Sequence, residues 1–502
     1  MAAILFFILA FIFLLLLIKH YFQARQRLPP GPNQFWALAY IPQLIYNPHI
    51  ALQALSKIYG PVISLQLGRQ LLVVASSPET AKAFCRTHDR AFSGRHLPAA
   101  YRNLPGSLDS SILLSDCGPA WKLLRSLAQS ALFSPRAMEA GAVVRRERVR
   151  DLVENLKSRE GAAVNLEDMM FATLANIISS GLVSADLFDL RRQADSDYEK
   201  VMALVHELIE KMITFGFVDY FPALKWIDFW SKSRAEELYT EIKDIWGAII
   251  AERRSGSRRS GGGDSGGDFL DIVFSDTAFS DDQIANSLVE MLIAATDSTT
   301  TTTVWLMVEL IRNPDKLTRV RAELAVAADG DGGLSESGVS ACSYFQACIK
   351  ETLRLHVPAP LLVPHRALES RELEGYVIPK DSMVVVNSWA IARDPDIWED
   401  ATSFRPERFL GSGFGVGVGY RGTHWEYMPF GSGLRMCPGM SVAVKNVEMV
   451  VGSLLHHFEW GMPGGSDPAG MDIREKYYTT LKKETPLLLV PTLRYHNINL
   501  IN

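Results

Sequence analysis

A ten-residue segment near the carboxyl terminus places one cysteine in a turn framed by glycine and proline. It runs from Phe430 to Gly439 and reads FGSGLRMCPG, with Cys437 followed directly by proline. A metal-binding thiolate needs a shielded sulfur whose neighbouring backbone amides are free to bond it. Gly433 and Gly439 allow the backbone to approach a bound group closely, so the segment predicts that Cys437 is a metal ligand. The alternative is a buried thiol that acts as a small apolar side chain, as most free cysteines do.

The other cysteines form no recognisable framework. They stand at positions 85, 117, 342 and 348, and no CxxC pair occurs among them. Together with Cys437 they make five cysteines, and such an odd, thinly spread set argues against a disulfide-bonded fold and against a zinc module. The 51 Lys and Arg residues against 56 Asp and Glu residues give a net charge of -5. There is therefore no overall basic field that would indicate nucleic-acid binding.

The amino terminus predicts a membrane anchor. Residues 2–18 carry no charged or polar side chain, and Lys19, His20, Arg25 and Arg27 follow them. About 17 apolar residues suffice to cross a thin bilayer, where roughly 20 cross an average one. A cleaved signal peptide would need a basic start and a small-residue cleavage site, and neither is clear here. Positive charge after the anchor places the rest of the chain in the cytosol.

A proline-rich joint follows the anchor. Residues 28–32 read LPPGP, and each proline fixes its own φ and disfavours helix at the residue before it. We interpret this segment as a stiff stalk that holds the body off the membrane, although a plain linker would have the same geometry. The predicted organisation is an anchor at residues 1–20, a basic and proline-rich stalk at 21–34 and one catalytic domain at 35–502.

The pattern of the domain predicts a mainly α fold with small β-sheets. Residues 60–75 alternate as a β-hairpin does, with a break at Gly68-Arg69. Long helical patterns dominate, and helix starts are indicated at Ser77-Pro78, Ser134-Pro135 and Asp281-Asp282. The glycine- and serine-rich residues 253–268 predict a loop. A formal GxGxxG at 417–422 has no helical pattern after it, so it does not predict a dinucleotide site.

The cysteine turn resembles the haem signature of the cytochrome P-450 family, FxxGxRxCxG. The five matching positions are Phe430, Gly433, Arg435, Cys437 and Gly439. The resemblance implies the cytochrome P-450 fold, haem b as cofactor and Cys437 as the axial ligand of its iron. A thiolate ligand favours O–O bond cleavage. Arg435 is expected to pair with a haem propionate, and Phe430 to cover the sulfur.

Further haem contacts follow from the same resemblance. Trp121 and Arg125 match a WxxxR helix that reaches the propionates in this family, and His365 stands where many members place another propionate donor. Each has a plainer alternative, which is core packing for Trp121 and a structural role for His365. Glu351 and Arg354 form an ExxR pair that the family joins to the arginine of a PERF segment, here Arg408. We assign these three residues to the fold and not to catalysis.

A long helical pattern from Gln283 to Asn313 contains the segment that resembles the family's oxygen-binding groove. In the family this helix widens over the iron, and a hydroxyl and a carboxylate relay protons. The resemblance assigns Asp297, Ser298 and Thr299 as catalytic residues, because they supply a carboxylate and hydroxyls. Ala295 and Ser298 depart from the usual glycine and threonine. The following threonines, 300–303, are expected to form a buried polar seam whose hydroxyls bond back to helix carbonyls.

The resemblance also implies a mostly apolar pocket for a small hydrophobic substrate. Its expected apolar wall residues are Leu113, Leu114, Val289, Leu292, Val357, Ala359, Leu361 and Leu362. Four carboxylates are candidate handles for an amine, namely Asp109, Asp116, Glu290 and Asp297. Each of the four is more often a solvated or structural group.

Three segments, 109–121, 244–253 and 475–491, resemble the plant microsomal branch that contains N-methylcoclaurine 3'-hydroxylases, benzylisoquinoline phenol-coupling enzymes and geraniol hydroxylases. This resemblance implies a monooxygenase of the endoplasmic reticulum membrane, single-pass, with its catalytic domain in the cytosol. We expect it to oxidise a plant secondary metabolite, with an alkaloid as the leading hypothesis. Phenol coupling, terpenoid hydroxylation and a non-catalytic haem sensor are the alternatives.

No reductase module fits in the chain, so electrons must come from a partner. The family implies NADPH–cytochrome P-450 reductase, docked on the cysteine side. Lys122, Arg435 and Lys445 are expected to contribute positive charge to that surface, although surface lysines are usually just solvated. The predicted partners are thus the reductase, membrane lipid and a small hydrophobic substrate, without nucleic acid.

Overall fold

The computed structural model describes residues 28–98, 111–189, 196–211, 220–221, 229–256, 267–276, 279–329, 333–411 and 415–494. The predicted anchor at residues 1–20 lies outside the described residues. Among the described helices, Leu166–Val183 alone is long and apolar enough to cross a bilayer, and 72% of it is buried inside the protein. We assign it to the core.

Helices make up most of the described chain. They are α1 (Gln34–Ala39), α2 (Ile41–Tyr46), α3 (Pro48–Tyr59), α4 (Pro78–Lys82), α5 (Pro119–Ala128), α6 (Pro135–Ala140), α7 (Ala142–Lys157), α8 (Leu166–Val183), α9 (Ser196–Lys211), α10 (Phe229–Arg254), α11 (Phe269–Asp276), α12 (Asp281–Arg312), α13 (Pro314–Val326), α14 (Glu336–Ala341), α15 (Ser343–Leu355), α16 (Ser388–Ala392) and α17 (Met440–His457). Short π-helical turns follow α4 (Ala83–Thr87) and α5 (Gln129–Phe133). Single 3-10 turns occur at Pro406–Phe409, Gly433–Arg435, Pro463–Gly465 and Pro468–Gly470.

The strands are short. They are β1 (Val62–Leu67), β2 (Gln70–Ala75), β3 (Gly94–Arg95), β4 (Val164–Asn165), β5 (His365–Arg366), β6 (Arg371–Leu373), β7 (Tyr376–Ile378), β8 (Met383–Val386), β9 (Phe458–Gly461), β10 (Glu475–Tyr477), β11 (Leu481–Lys483) and β12 (Leu488–Leu493). A five-stranded sheet has the order β1-β2-β8-β5-β3, and only its β2–β8 pair is parallel. Smaller sheets are β4-β12-β9, β6-β7 and β10-β11. The predicted α-rich fold with small sheets is confirmed.

Local sequence signals explain where several elements begin. The β1–β2 hairpin turns at Gly68, whose φ of 55° suits glycine. The hydroxyls of Ser77, Ser134 and Ser280 accept the first free N–H groups of α4, α6 and α12, as expected of serine at these positions. The predicted hairpin and helix starts are therefore confirmed. The GxGxxG segment leads into the cysteine turn through irregular structure, as the sequence predicted.

Helix α12 lies at the centre of the fold. It packs against α8, α10, α15 and α17, and Val304 to Ile311 are buried in the largest apolar cluster. Near its end, the ring of Trp305 stacks on His356 with ring centroids 3.9 Å apart. His356 lies between the carboxylates of Glu309 and Glu475, at 2.8 and 2.9 Å.

The proline-rich segment is bonded to the first strand of the domain. The backbone N–H of Ser64 donates to the carbonyl of Pro30 at 2.9 Å, and the Ser64 hydroxyl donates to Pro29 at 2.6 Å. A methyl group on Gly31 would lie 1.9 Å from the Ser64 carbonyl oxygen. Residues 29–31 therefore contact strand β1, while the predicted division at residues 20 and 35 stays a prediction.

The three residues assigned to the fold form a buried ion network. Glu351 accepts from Nε of Arg354 at 2.8 Å and from Nε of Arg408 at 3.0 Å. Arg354 also donates to the carbonyls of Ala392 and Ala401, and its side chain is fully buried. The charged groups of this network are thus paired inside the protein. Through these bonds, α15 is connected to the chain segments before and after residue 400.

Candidate active site

One large cavity brings the cysteine turn and the middle of α12 together. Its volume is about 950 Å³, and both Cys437 and Ser298 line it. Ala294 is exposed although most of α12 is buried. It is exposed because this face of the helix borders the cavity. Cys437 and the helix segment around Ser298 thus form walls of the same space.

The cysteine turn closes on itself through its backbone. The N–H of Cys437 donates to the carbonyl of Phe430 at 3.0 Å, and Phe430 lines the cavity with an edge-on contact to Tyr420. Burial raises the pKa of the Cys437 thiol, while the backbone N–H groups of Gly439 and Met440 and the charge of Arg125 oppose that increase. These are the groups that would stabilise a thiolate.

Gly433 and Gly439 of the cysteine turn are glycines for different structural reasons. Gly433 has a φ of 68°, and a methyl group there would lie 1.9 Å from the Cys85 carbonyl oxygen. A glycine is thus required at position 433 because the backbone packs closely against Cys85. The sequence analysis had instead expected this glycine to let the backbone approach the cofactor. A methyl group on Gly439 would only touch Phe133 at 3.6 Å. Gly439 lines the cavity, so the open space above it suits a bound planar group.

Arg125 and Arg435 border the cavity and hold the cysteine turn to neighbouring loops. Arg125 donates to the Met436 carbonyl at 2.7 Å. Arg435 donates to the carbonyls of Ser93, Ile112 and Ser115. Both guanidinium groups lie against the Trp121 ring, at 5.2 Å and 5.0 Å from its centroid.

Trp121 itself does not line the cavity among the described residues. Its indole N–H donates to the Ile112 carbonyl at 2.9 Å, which occupies the group expected to reach a propionate. The ring instead supports the two arginines by cation–π contact. Direct contact of Trp121 with the cofactor stays a prediction.

His365 lies on β5 and lines the cavity. Its Nδ1 is 2.7 Å from the Phe92 carbonyl, and burial together with the charge of Arg95 lowers its pKa to about 3. A neutral ring that donates from Nδ1 leaves Nε2 as an acceptor. An anionic group at Nε2 would favour the protonated ring, which can donate from both nitrogens.

Arg95 is a buried cavity residue in a segment that the family resemblance places at the pocket, although no specific role was predicted for it. It donates to the carbonyls of Leu113 and Val363, at 3.0 and 2.6 Å. Burial, with the charge of Arg435 nearby, lowers its pKa to about 9. Its position depends on the pairing of β3 with the distant strand β5, so no local signal could have identified it.

The hydroxyls on the cavity face of α12 bond back to their own helix. Ser298 donates to the Ala294 carbonyl at 2.8 Å, and Thr299 donates to Ala295 at 2.7 Å. Thr302 and Thr303 also bond back, while residues 300–303 are buried as the sequence predicted. The helix is continuous from Asp281 to Arg312, and the widening implied by the resemblance stays a prediction.

Asp297 lies on a different face of the helix from Ser298. Its carboxylate is 2.6 Å from Nζ of Lys482 and accepts from the Thr480 hydroxyl at 2.8 Å. Among the described residues it is not part of the cavity wall. Asp297 and Ser298 are therefore adjacent in the sequence but face different surroundings. The Ser298 side borders the cavity, whereas the Asp297 carboxylate does not.

The predicted pocket wall is only partly correct. Leu113, Ala359 and Leu362 line the cavity. The remaining predicted wall residues are buried in the core beside it, namely Leu114, Val289, Leu292, Val357 and Leu361. Side chains on adjacent helix positions face different neighbours, so sequence proximity to the site did not distinguish wall from core.

The expected reductase surface is also revised. Arg435 is buried, with 9% of its surface exposed, and therefore cannot contribute to an outer docking face. Lys445 forms contacts with Ser340 and Glu448, whereas Lys122 is exposed. Of the three residues, Lys122 keeps its predicted place on the surface.

The residues present fit a haem group. A half-buried thiol lines the cavity, the backbone N–H groups of Gly439 and Met440 act to lower its pKa, and Gly439 leaves open space above the turn. Arg125, Arg435 and His365 supply cationic or polar groups at the edge of the same cavity. The five cysteines are all free thiols, and no other cluster of metal-binding side chains occurs in the described part of the chain.

Comparison with known proteins agrees with this site. The sequence model described as cytochrome P-450 matches residues 29–489, and the chain belongs to the cytochrome P-450 family. It is a cytochrome P-450 monooxygenase that uses haem b and receives the electrons of NADPH through a reductase.

Its relatives include plant enzymes of several names. The chain is 37% identical over 498 residues to a probable (S)-N-methylcoclaurine 3'-hydroxylase isozyme 2 of Coptis japonica, covering 98% of this chain and 99% of that one. It is 35% identical to corytuberine synthase of Coptis japonica, over 96% and 97% of the two chains. Cytochrome P-450 76C1 of Arabidopsis thaliana is 36% identical, over 94% and 93%.

A solved structure supports the fold. A zebra fish cytochrome P-450 in complex with abiraterone has a TM-score of 0.74 and 24% sequence identity, covering 89% of this chain and 99% of that one. At this identity the likeness concerns the arrangement of the backbone alone.

Proposed function

We propose that the protein is a membrane-anchored monooxygenase that hydroxylates a small hydrophobic plant metabolite of the benzylisoquinoline type. The observation that carries this proposal is the cavity in which Cys437 and Ser298 both lie. The substrate class is supported by the 37% identity to a probable N-methylcoclaurine 3'-hydroxylase across almost the whole of both chains.

Cys437, Arg125, Arg435 and His365 would hold the cofactor. Bound through Cys437, haem supplies the activation of dioxygen, because a thiolate ligand makes the iron electron-rich. The N–H groups of Gly439 and Met440 stabilise negative charge on the sulfur. Phe430 covers the turn and limits the access of water.

On the opposite wall, the hydroxyls of Ser298 and Thr299 position a water molecule and donate protons to the reacting centre. Each hydroxyl donates to a helix carbonyl, which leaves its oxygen free to accept from a water in the cavity. Rotation of the Ser298 hydroxyl away from Ala294 turns it into a donor toward the reacting centre. Asp297, paired with Lys482, is the acid through which protons would be replaced from the other side of the helix.

Oxidative phenol coupling is a second candidate function. It is favoured by Ala295 and Ser298, which replace the usual glycine and threonine of the family in this continuous part of α12. Coupling removes electrons and protons from a substrate without adding oxygen. An assay under labelled dioxygen separates the two reactions, because label appears in the product only after hydroxylation.

The cofactor assignment is tested by the reduced carbon monoxide complex. Wild type should show the red-shifted Soret band of a thiolate ligand, and Cys437→Ala should lose it. Cys342→Ala is the matched control, since Cys342 is a buried free thiol outside the cavity wall. An intact band in Cys437→Ala would overturn the assignment. Turnover of benzylisoquinolines and terpenoids with the reductase and NADPH then tests the substrate class.

Membrane association is supported by the first helices of the domain. Large apolar side chains are exposed on α1 to α3, with Phe35 86%, Trp36 67% and Tyr46 71% accessible. They follow the apolar residues 2–18 in the chain. Such a patch near an anchor fits contact with lipid, and we propose the cytosolic side of the endoplasmic reticulum as the location. In a variant that lacks residues 2–20, the fraction that sediments with microsomes should fall when Phe35 and Trp36 are replaced by serine, because the apolar patch is then the remaining membrane contact under test.

A further inference from the structure

Glu290 is a half-buried residue whose carboxyl group lies on the cavity wall, one turn of α12 before Ala294. The other candidate amine handles differ from it. Asp109 lies outside the described residues, Asp116 pairs with Arg366 at 2.7 Å, and Asp297 pairs with Lys482 at 2.6 Å. Asp268, a second acid on the described wall, pairs with Arg253 at 2.8 Å.

The carboxyl group of Glu290 has capacity for another donor. Oε1 accepts from the backbone N–H of Leu113 at 2.6 Å, and Oε2 accepts from the Ser111 hydroxyl. A carboxylate has about four lone-pair positions, so these two bonds do not exhaust it. They also fix the direction of the carboxylate relative to the cavity.

No lysine or arginine in the described part of the chain forms an ion pair with Glu290. The charges of Arg95 and Arg435 interact with Glu290, but both guanidinium groups donate to backbone carbonyls, Arg95 to Leu113 and Arg435 to Ile112. Burial raises the pKa of Glu290 to about 7, although the hydrogen bonds from Ser111, Leu113 and Ile112 and the charge of Arg435 oppose this. A cation that entered the cavity would relieve the cost of a buried, unpaired carboxylate.

We propose that Glu290 binds the protonated amine of the substrate, so that the enzyme selects hydrophobic bases over neutral molecules of the same shape. This inference rests on the proposed function and adds to it the charge of the substrate. Eight residues separate Glu290 from Ser298, which corresponds to about 12 Å along the helix. The oxidised atom therefore lies at the end of the substrate remote from its nitrogen.

The test measures binding by the shift of the Soret band in the intact haem-loaded enzyme. One probe pair is 1-benzyl-2-methyltetrahydroisoquinoline and its isostere with CH in place of nitrogen. The other is N,N-dimethyl-4-phenylbutylamine and its isosteric hydrocarbon. Glu290→Gln keeps the shape and the acceptor oxygen but removes the charge. Ser111→Ala is the control, because it loosens the same loop and leaves the charge in place.

We expect Glu290→Gln to weaken binding of both amines by about 10- to 100-fold. Binding of both hydrocarbons should stay within about threefold. An equal loss for amines and hydrocarbons, matching that of Ser111→Ala, would overturn the proposal and leave Glu290 as a loop contact. Wild type that binds no amine better than its hydrocarbon would also overturn it. A third outcome is that only the phenylbutylamine and its hydrocarbon bind, and that the amine loses affinity in Glu290→Gln. In that case the role of Glu290 stands, and the assignment of a benzylisoquinoline substrate fails.

Discussion

The ammonium group of Lys482 lies 2.6 Å from the carboxylate of Asp297, and the two side chains are 17% and 3% exposed. Lys482 belongs to β11 and Asp297 to the centre of α12, so this ion pair joins the outer hairpin to the central helix. Burial opposes the charge of Lys482, but Asp297 and Glu167 raise its pKa above the ordinary value.

Replacing Lys482 by methionine should destabilise the enzyme. The change leaves a buried carboxylate without its cation, which costs about 3–5 kcal/mol in the free energy of unfolding. Urea unfolding followed by the Soret band measures this loss. The double variant Asp297→Asn/Lys482→Met should recover part of it, and Lys380→Met, an exposed control, should show none. Strictly additive single effects would argue against a coupled pair.

Removing the Ser298 hydroxyl should slow turnover without affecting cofactor binding. Loss of a proton donor in the reacting step typically costs about 100-fold or more, so Ser298→Ala is expected to reduce kcat while the carbon monoxide band persists. Thr300→Val is the matched control on the same helix, because the Thr300 hydroxyl is buried and has no hydrogen-bond partner in the described chain. Unchanged kcat in Ser298→Ala would contradict its assignment as a catalytic residue.

Gly433→Ala should impair folding around the cysteine turn. The added methyl group would clash with the Cys85 carbonyl oxygen at 1.9 Å, and the left-handed φ of 68° costs a residue other than glycine about 1–2 kcal/mol by itself. We expect a lower thermal midpoint and less bound haem. Gly419→Ala, in the preceding loop with no atom near its added methyl group, should behave as wild type. A stable, fully loaded Gly433→Ala protein would show that Cys85 can move away.

Stability should fall as the pH rises from 7 to 9 because of His356. Burial lowers its pKa, but hydrogen bonds to Glu309 and Glu475 outweigh this and raise it above 6.5. The folded state thus binds a proton that the unfolded state has lost. The contribution is complete below pH 6.5 and disappears as the pH passes through the raised value, by up to about 1 kcal/mol per pH unit.

The arginine variant tests this pH dependence. His356→Arg keeps a permanent charge between the two carboxylates and a planar group on Trp305, so the slope of stability against pH should become smaller even if the overall level falls. Urea unfolding at pH 7, 8 and 9 gives both slopes. Equal slopes in wild type and variant would exclude His356 as the titrating group.

Features with local chemical causes were predictable from sequence. The turn around Cys437 and the helix starts at Ser77 and Ser280 are determined by glycine, proline and capping side chains within a few residues. Directions of side chains were not predictable. Whether Asp297 faces the cavity depends on the position of β11, which is remote in sequence, and the same holds for the bond from Trp121 to Ile112. The contact of residues 29–31 with β1 likewise required the folded sheet.

The loop of residues 111–115 is held from three sides, by Glu290, by Arg95 and by Arg435. Arg435 belongs to the cysteine turn. One side chain therefore connects the 111–115 loop beside the cavity to the turn that is proposed to hold the cofactor. Substitutions in this loop that change the substrate are therefore expected to change the affinity for the cofactor as well. A change of substrate through Ala359, a wall residue outside this loop, should avoid that effect.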